Sequence, residues 1–159
     1  KLDDITSTNP VAVGDWVHAE IENEGDSTVT INEILDRNNY INRQSPRHKH
    51  QHHIVAANLD QSILVATLKE PKTSQGFIDR FLVASEMYHV PAIVVFNKSD
   101  LYKNKELEKY EQWRKMYEEV GYQVMLVSAE RKEGIDELKL LLKEGADVWT
   151  STRVTTSTR

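Results

Sequence analysis

From Val13 to Ile21 apolar and polar residues alternate, and they alternate again from Thr28 to Ile34. That period of two is the signature of half-buried β-strands. Glu24-Gly25-Asp26 between them reads as a turn, so the chain is expected to begin with short antiparallel strands from an incomplete barrel. After residue 60 the pattern changes. Ser62–Leu68, Ala92–Phe96 and Val124–Val127 are continuous apolar runs, as in strands covered on both faces. Between them Phe77, Ile78, Phe81, Leu82, Ser85 and Tyr88 recur at helical spacing, as do Leu107, Tyr110, Trp113, Tyr117 and Val120, with Gly121 at the expected helix end. A third helix is expected from Ile135 to Lys143. Strands alternating with helices predict a parallel α/β unit. The expected division is a β-barrel part over 1–50, an α/β part over 54–147, and a Thr/Ser/Arg tail over 148–159 outside the fold.

Composition narrows the chemistry. There is no Cys in the 159 residues, which removes disulfides, thiol nucleophiles and Cys-ligated zinc sites from the chain. With 20 Lys+Arg against 25 Asp+Glu the net charge is -5, so any nucleic-acid contact must come from a local patch. Between Arg37 and His53 lie Arg37, Arg43, Arg47 and Lys49 and several histidines, with no acidic residue. This segment reads as an RNA-facing edge, the alternative being a solvated linker. Its histidines read as loop residues rather than a metal site. Trp16 and Trp113 read as packing residues, and Asn58 and Asp60 as structural loop residues. No apolar run is long enough to cross a membrane.

In parallel sheets ligands bind beyond the carboxyl ends of the strands. Ala92–Phe96 runs into Asn97-Lys98-Ser99-Asp100-Leu101, and Val124–Val127 runs into Ser128-Ala129. A carboxylate at Asp100 can accept from N1–H and the 2-amino group of guanine. Adenine lacks that donor pair and would leave the charge unpaired. Asn97 is expected either to bond the base edge or to tie the two loops together. The stem of Lys98 is expected to cover the purine face, and backbone N–H groups at Ser128 and Ala129 to approach O6. The blander reading makes Asp100 a helix cap and Lys98 a solvated charge.

The Asn-Lys-x-Asp string followed about thirty residues later by Ser-Ala resembles the guanine-specificity elements of GTPases. The phosphate-binding string G-x-x-x-x-G-K-[ST] occurs nowhere in the chain. The segments His53–Gln61, Phe77–Glu86 and Val90–Leu101, with Val13-Gly14-Asp15-Trp16-Val17 and Arg37-Asn38, resemble the circularly permuted GTPases of the ribosome small subunit-dependent GTPase A family. The resemblance covers about residues 8 to 143. It implies an N-terminal oligonucleotide-binding (OB) barrel, then a GTPase domain whose base-recognition loops precede the phosphate loop, then a zinc-binding domain. It also implies binding of GTP and GDP through Asn97, Lys98, Asp100, Leu101, Ser128 and Ala129. Further implications are Mg²⁺ with the nucleotide, Zn²⁺ in the last domain, and a cytoplasmic, monomeric factor that binds the small ribosomal subunit and its rRNA during late maturation. The sequence departs from the family pattern after Lys143, where the phosphate loop, switch elements and zinc domain are missing. No catalytic residue is therefore assigned, and the chain by itself is expected to be inactive. The competing expectation is a non-catalytic RNA-binding module with a vestigial nucleotide fold.

Overall fold

Where the apolar runs are continuous, both sides of a sheet must be covered, and the computed structural model shows how. It describes residues 6–7, 10–23, 28–44, 51–144 and 148–152. The chain divides into two units, residues 1–59 and 60–159.

In the first unit β1 (Thr6–Ser7), β4 (Tyr40–Gln44) and β5 (Gln51–Ala57) form one sheet in the order β1-β5-β4, and β2 (Val17–Asn23) pairs with β3 (Thr28–Ile34) in a second. β2 and β3 are the two strands read from alternation. Their pairing puts Val17, Ala19 and Ile21 opposite Ile34, Ile31 and Val29, so the apolar positions share one face of the ribbon. Ile21 and Val29 on that face are exposed, and so is Trp16, at 64%, which corrects its reading as a packing residue.

Residues 54–57, placed by sequence in the α/β part, form the end of β5 (Gln51–Ala57) and fall in the first unit, with Tyr40 opposite Ala57 and Ile41 opposite Ala56. Further bonds hold its end there. Ala57 N–H donates to Val13 O at 2.9 Å, and Asn58 Nδ2 donates to Gly14 O at 2.8 Å. The amide of Asn39 both donates to Leu59 O (2.8 Å) and accepts from Leu59 N–H (2.7 Å). Asn58 thus has the structural role expected of it. Gly14 is required at this crossing: its φ is +86°, and a Cβ there would lie 2.1 Å from Ala57 O.

The second unit is a four-stranded parallel sheet in the order β8-β7-β6-β9, with β6 (Gln61–Ala66), β7 (Ala92–Phe96), β8 (Gln123–Leu126) and β9 (Val148–Thr152). β9 pairs Gln61 through Val65 with Val148 through Thr152. Residues 148–152, read from sequence as part of a tail, are therefore a sheet strand. Its Thr and Ser have the β-branched or small side chains that strands accept, but not the apolar run that marked its neighbours. The rest of the tail, 153–159, lies outside the described residues.

Helices α1 (Gln75–Met87) and α2 (Asn104–Glu119) cover one face of this sheet, where Ile78, Phe81, Tyr110 and Trp113 pack against Leu64, Val94 and Phe96. Helix α3 (Ile135–Glu144) covers the other, where Ile135, Leu138, Leu141 and Leu142 meet Ile63, Ile93, Val95 and Val127. Trp113 is buried as expected. Both helices on the first face end in paired reverse bonds. Tyr122 N–H reaches Tyr117 O and Gly121 N–H reaches Glu118 O after α2; Val90 N–H reaches Ser85 O and His89 N–H reaches Glu86 O after α1. These satisfy the last carbonyls and fix where each chain turns into the next strand. Tyr117 Oη donates to Asp79 Oδ1 at 2.8 Å and ties α2 to α1.

In the first unit Arg37 is clamped on Asp15. Its Nε and Nη2 donate to the two carboxylate oxygens at 2.5 and 2.6 Å, and Ala12 N–H adds a third bond to Asp15 at 2.8 Å. The Asp15 side chain is 1% exposed and that of Arg37 20%. The Arg37 bond holds the Asp15 carboxyl below the usual carboxylate range. Stability from this pair is therefore fully present above the ordinary carboxylate pKa and is lost as pH falls from there through the lowered pKa of the folded state. Arg37→Ala should cost about 2–3 kcal/mol near pH 7, because a buried carboxylate loses its partner. Urea unfolding checks this, and the difference from the parent should shrink as pH falls below the ordinary carboxylate range and through the lowered pKa of Asp15.

Candidate guanine-recognition site

Register decides what can meet at the edge of the second unit's sheet. Ala66 lies beside Phe96 and Phe96 beside Leu126, so β6, β7 and β8 end level. The loops that follow them leave side by side. The backbone continues to stitch them together: Asn97 N–H donates to Ala66 O (2.8 Å), Val127 N–H to Phe96 O (2.8 Å) and Ser99 N–H to Val127 O (3.1 Å).

Side chains complete the junction. Asn97 Oδ1 accepts from Lys98 N–H at 2.7 Å within its own loop and from Ala129 N–H at 3.1 Å in the next. Of the two roles expected for Asn97, tying the loops is the one the structure has. Residues 99–101 form a single 3-10 turn that raises Asp100 over the junction. Asp100 Oδ1 accepts from Ser128 Oγ at 2.5 Å, and Ser128 is fully buried. Ser128 Oγ in turn accepts from Arg131 N–H at 3.1 Å. Asp100 does not cap the following helix; α2 starts at Asn104, and Glu106 accepts from Lys103 N–H at 3.0 Å there. Asp100 is held in place through Oδ1.

Lys98 adopts a left-handed conformation, φ 67° and ψ 37°, which a side chain with a Cβ enters only at a cost. Its Nζ donates to Glu70 O in the loop after β6. Lys69 Nζ reaches Leu101 O from that same loop at 3.4 Å. Leu101 is half-buried and contributes its backbone and its packing against the core, not a polar side chain.

Two positions that matter here were missed in the sequence. Tyr102, only 8% exposed, donates through Oη to Asn97 O (2.7 Å) and accepts from Leu68 N–H (2.9 Å). One phenol thereby joins the loops after β6 and β7, and burial pushes its pKa up. An aromatic after Asn-Lys-x-Asp-Leu reads only as core, so nothing marked the hydroxyl. Gly134, with φ +69°, closes the loop that carries Ser128 and Ala129, and a Cβ there would lie 2.8 Å from Leu126 O. Ser128 and Glu133 exchange backbone bonds of 3.0 and 3.1 Å across that loop. A glycine immediately before an apolar helix was a readable signal.

Of the residues expected to face RNA, Arg37 and Arg43 are described, in the first unit. Arg37 is taken up by Asp15, which replaces its reading as a free phosphate contact with a structural one. Arg43 lies in β4 opposite His53. Arg47 and Lys49 lie outside the described residues. Among the described residues no group of three His, Cys, Asp or Glu side chains is placed to hold a metal.

Tyr102→Phe removes one hydroxyl and leaves a buried N–H and a buried C=O unpaired, which should cost about 1–3 kcal/mol. Urea unfolding of the parent and the variant checks the loss. Tyr102→Leu should cost at least as much, because it adds a cavity beside the core.

The family model for the RsgA GTPase matches residues 34–150. A small ribosomal subunit biogenesis GTPase RsgA from Cytophaga hutchinsonii is 46% identical over 145 residues, covering 91% of this chain and 47% of that protein. RsgA 2 from Bacteroides thetaiotaomicron is 49% identical over 139 residues, covering 87% of this chain and 44% of that protein. Among solved structures, YjeQ from Thermotoga maritima superimposes with a TM-score of 0.68 at 34% identity, covering 83% of this chain and 43% of that one. YloQ, a circularly permuted GTPase, gives a TM-score of 0.60 at 29% identity, covering 86% of this chain and 43% of that one. The chain thus spans a little under half the length of the proteins it matches. With the match running from the end of β3 into β9, and taking in the loops after β7 and β8, the chain belongs to the RsgA GTPase family.

Proposed function

We propose that the protein carrying this chain binds GTP and GDP through Asn97, Lys98, Asp100, Leu101, Ser128 and Ala129, hydrolyses GTP, and assists maturation of the small ribosomal subunit in the cytoplasm as a monomer. The observation that carries this reading is the Asp100 carboxylate fixed by buried Ser128 at the junction of two stitched loops. Guanine offers two parallel donors to such a group, N1–H and the 2-amino group. Holding the carboxylate before the base arrives reduces the ordering cost of binding. The names of the relatives, small ribosomal subunit biogenesis GTPases, support the partner and the reaction.

Within the chain the site selects the base and performs no chemistry on phosphate. Phosphoryl transfer needs a cradle for the phosphates and a hydroxyl for Mg²⁺, and the sequence holds no such string. The residues present do not fit either metal that the resemblance implies. Zinc sites of the family's kind need thiolates, and the chain has no Cys. Turnover by these 159 residues alone is expected to equal the buffer blank. For rRNA, Arg43, Arg47 and Lys49 remain the proposed phosphate contacts of the first unit. Among the described residues no helix is long and apolar enough to cross a membrane.

Asp100→Asn in the full-length protein tests the base assignment. Guanine nucleotide affinity should fall about thirty- to a thousandfold, or about 2–4 kcal/mol, with loss of a charge-assisted donor pair. Xanthine has an oxygen where guanine has the 2-amino group, and the new Asn amide can donate to it, so XTP should gain. The check is competition of GTP and XTP against a fluorescent guanine nucleotide. Asp79→Asn is the control: its amide oxygen can still accept from Tyr117 Oη, without the charge, and the parent's base preference is kept. If Asp100→Asn also keeps it, Asp100 does not read the base.

A further inference from the structure

We propose that Lys72, Lys105 and Lys109, with Lys69 at their edge, form a contact surface for an RNA phosphodiester backbone. The surface lies in the second unit, beside the base-recognition junction.

Two elements bring these lysines together. Lys69 and Lys72 sit on the loop after β6, which is pinned: Thr67 N–H donates to Thr73 Oγ1 (3.0 Å), Thr73 N–H donates to Thr67 O (2.7 Å), and Leu68 N–H donates to Tyr102. Lys105 and Lys109 are one turn apart on α2 and share a helix face. Lys109 Nζ lies 4.2 Å from the centroid of the Trp113 ring, which itself packs against Phe96. The ammonium groups are thus carried on fixed supports.

Among the described residues none of the four lysines makes an ion pair. Further along α2 the cations are neutralised, Arg114 by Glu118 and Glu111 and Lys115 by Glu119. The carboxylate of Glu106 accepts from Lys103 N–H, which lowers its pKa, and the charges of Lys69 and Lys105 lower it further, so one carboxylate lies among these cations without forming an ion pair with them. Burial first, and then the charges of Lys72 and Lys105, depress the Lys109 pKa, as expected of cations crowded together. Lys105 also lies in the first turn of α2, the positive end of the helix dipole, where a cation weakens the helix. Local stability does not account for this arrangement; a polyanion would.

RNA suits the surface better than an acidic protein does. A protein interface normally has an apolar centre. Here Leu107, 40% exposed, is the only exposed large apolar side chain on the loop after β6 or the first two turns of α2. The choice of RNA rests on the proposed role at the small subunit; the charge geometry does not.

The test uses full-length protein and the triple variant K72Q/K105Q/K109Q. Lys69 and Lys98 are left unchanged because they bond the base-recognition loops. Binding is measured to purified small ribosomal subunits and to an RNA duplex of about 20 base pairs, over about 50–300 mM KCl. The variant should bind both at least about tenfold more weakly near 100 mM, and its slope of log K against log[salt] should be shallower by about 2–3. GDP affinity should stay at the parent's value. Equal affinities and parallel salt slopes would overturn the proposal. Weaker subunit binding with unchanged duplex binding and slope would put a protein on this surface and would also overturn it. If the parent binds the duplex but not the subunit, and the variant loses duplex affinity, the subunit reading fails while the surface stands. Should GDP binding fall as well, K72Q alone carries the test, with a slope change of about one expected.

Discussion

The two bonds accepted by one amide oxygen, Asn97 Oδ1, hold the recognition edge together. They draw the backbone of Lys98 and that of Ala129 onto the same atom, so the loops after β7 and β8 cannot move independently. Everything chemically specific at this edge follows from that constraint. Ser128 can reach Asp100 only because the loops are held at this spacing, and Ser128 in turn holds Asp100 through Oδ1. The equal ends of β6, β7 and β8 supply the platform, and α1 and α2 pack on one of its faces and α3 on the other. Tyr102 extends the same logic one loop further, to Leu68.

The first unit is organised differently. Its strands are short and its ribbon leaves apolar side chains exposed, so polar contacts carry much of the order. The Asp15–Arg37 pair, the close crossing of Gly14 over Ala57, and the reciprocal bonds of Asn39 with Leu59 form a network with little tolerance for substitution. A buried ion pair of this kind adds less net stability than its short distances suggest, because both charges lose hydration. It does fix geometry, since a bidentate guanidinium accepts one orientation of its carboxylate.

Much of this was legible in the sequence, for physical reasons that can be named. Parallel strands buried on both faces must be apolar throughout, which is why β6, β7 and β8 stood out, and helices packed on one side must repeat at helical spacing, which exposed α1, α2 and α3. The strand-end positions of Asn97, Lys98, Asp100, Ser128 and Ala129 were readable because each group follows directly on a continuous apolar run. What was hidden lacked such a pattern. β4 and β5 are rich in Arg, Gln and His and looked like a loop, and β9 is rich in Thr and Ser and looked like a tail. Arg37 looked like a free cation because its partner, Asp15, lies 22 residues away. The Tyr102 hydroxyl was hidden because sequence gives a phenol's burial more readily than its hydrogen bonds.

The central claim is that the junction of residues 97–101 and 128–129 reads guanine. An amide chemical-shift titration of the isotopically labelled full-length protein, run separately with GDP and ADP, tests it most directly. The account predicts that GDP shifts the amides of Lys98, Ser99, Asp100, Ser128 and Ala129 at saturation, while ADP at equal concentration leaves them in place. Shifts of equal size with both nucleotides, or with GDP shifts confined to residues away from these two loops, would contradict it.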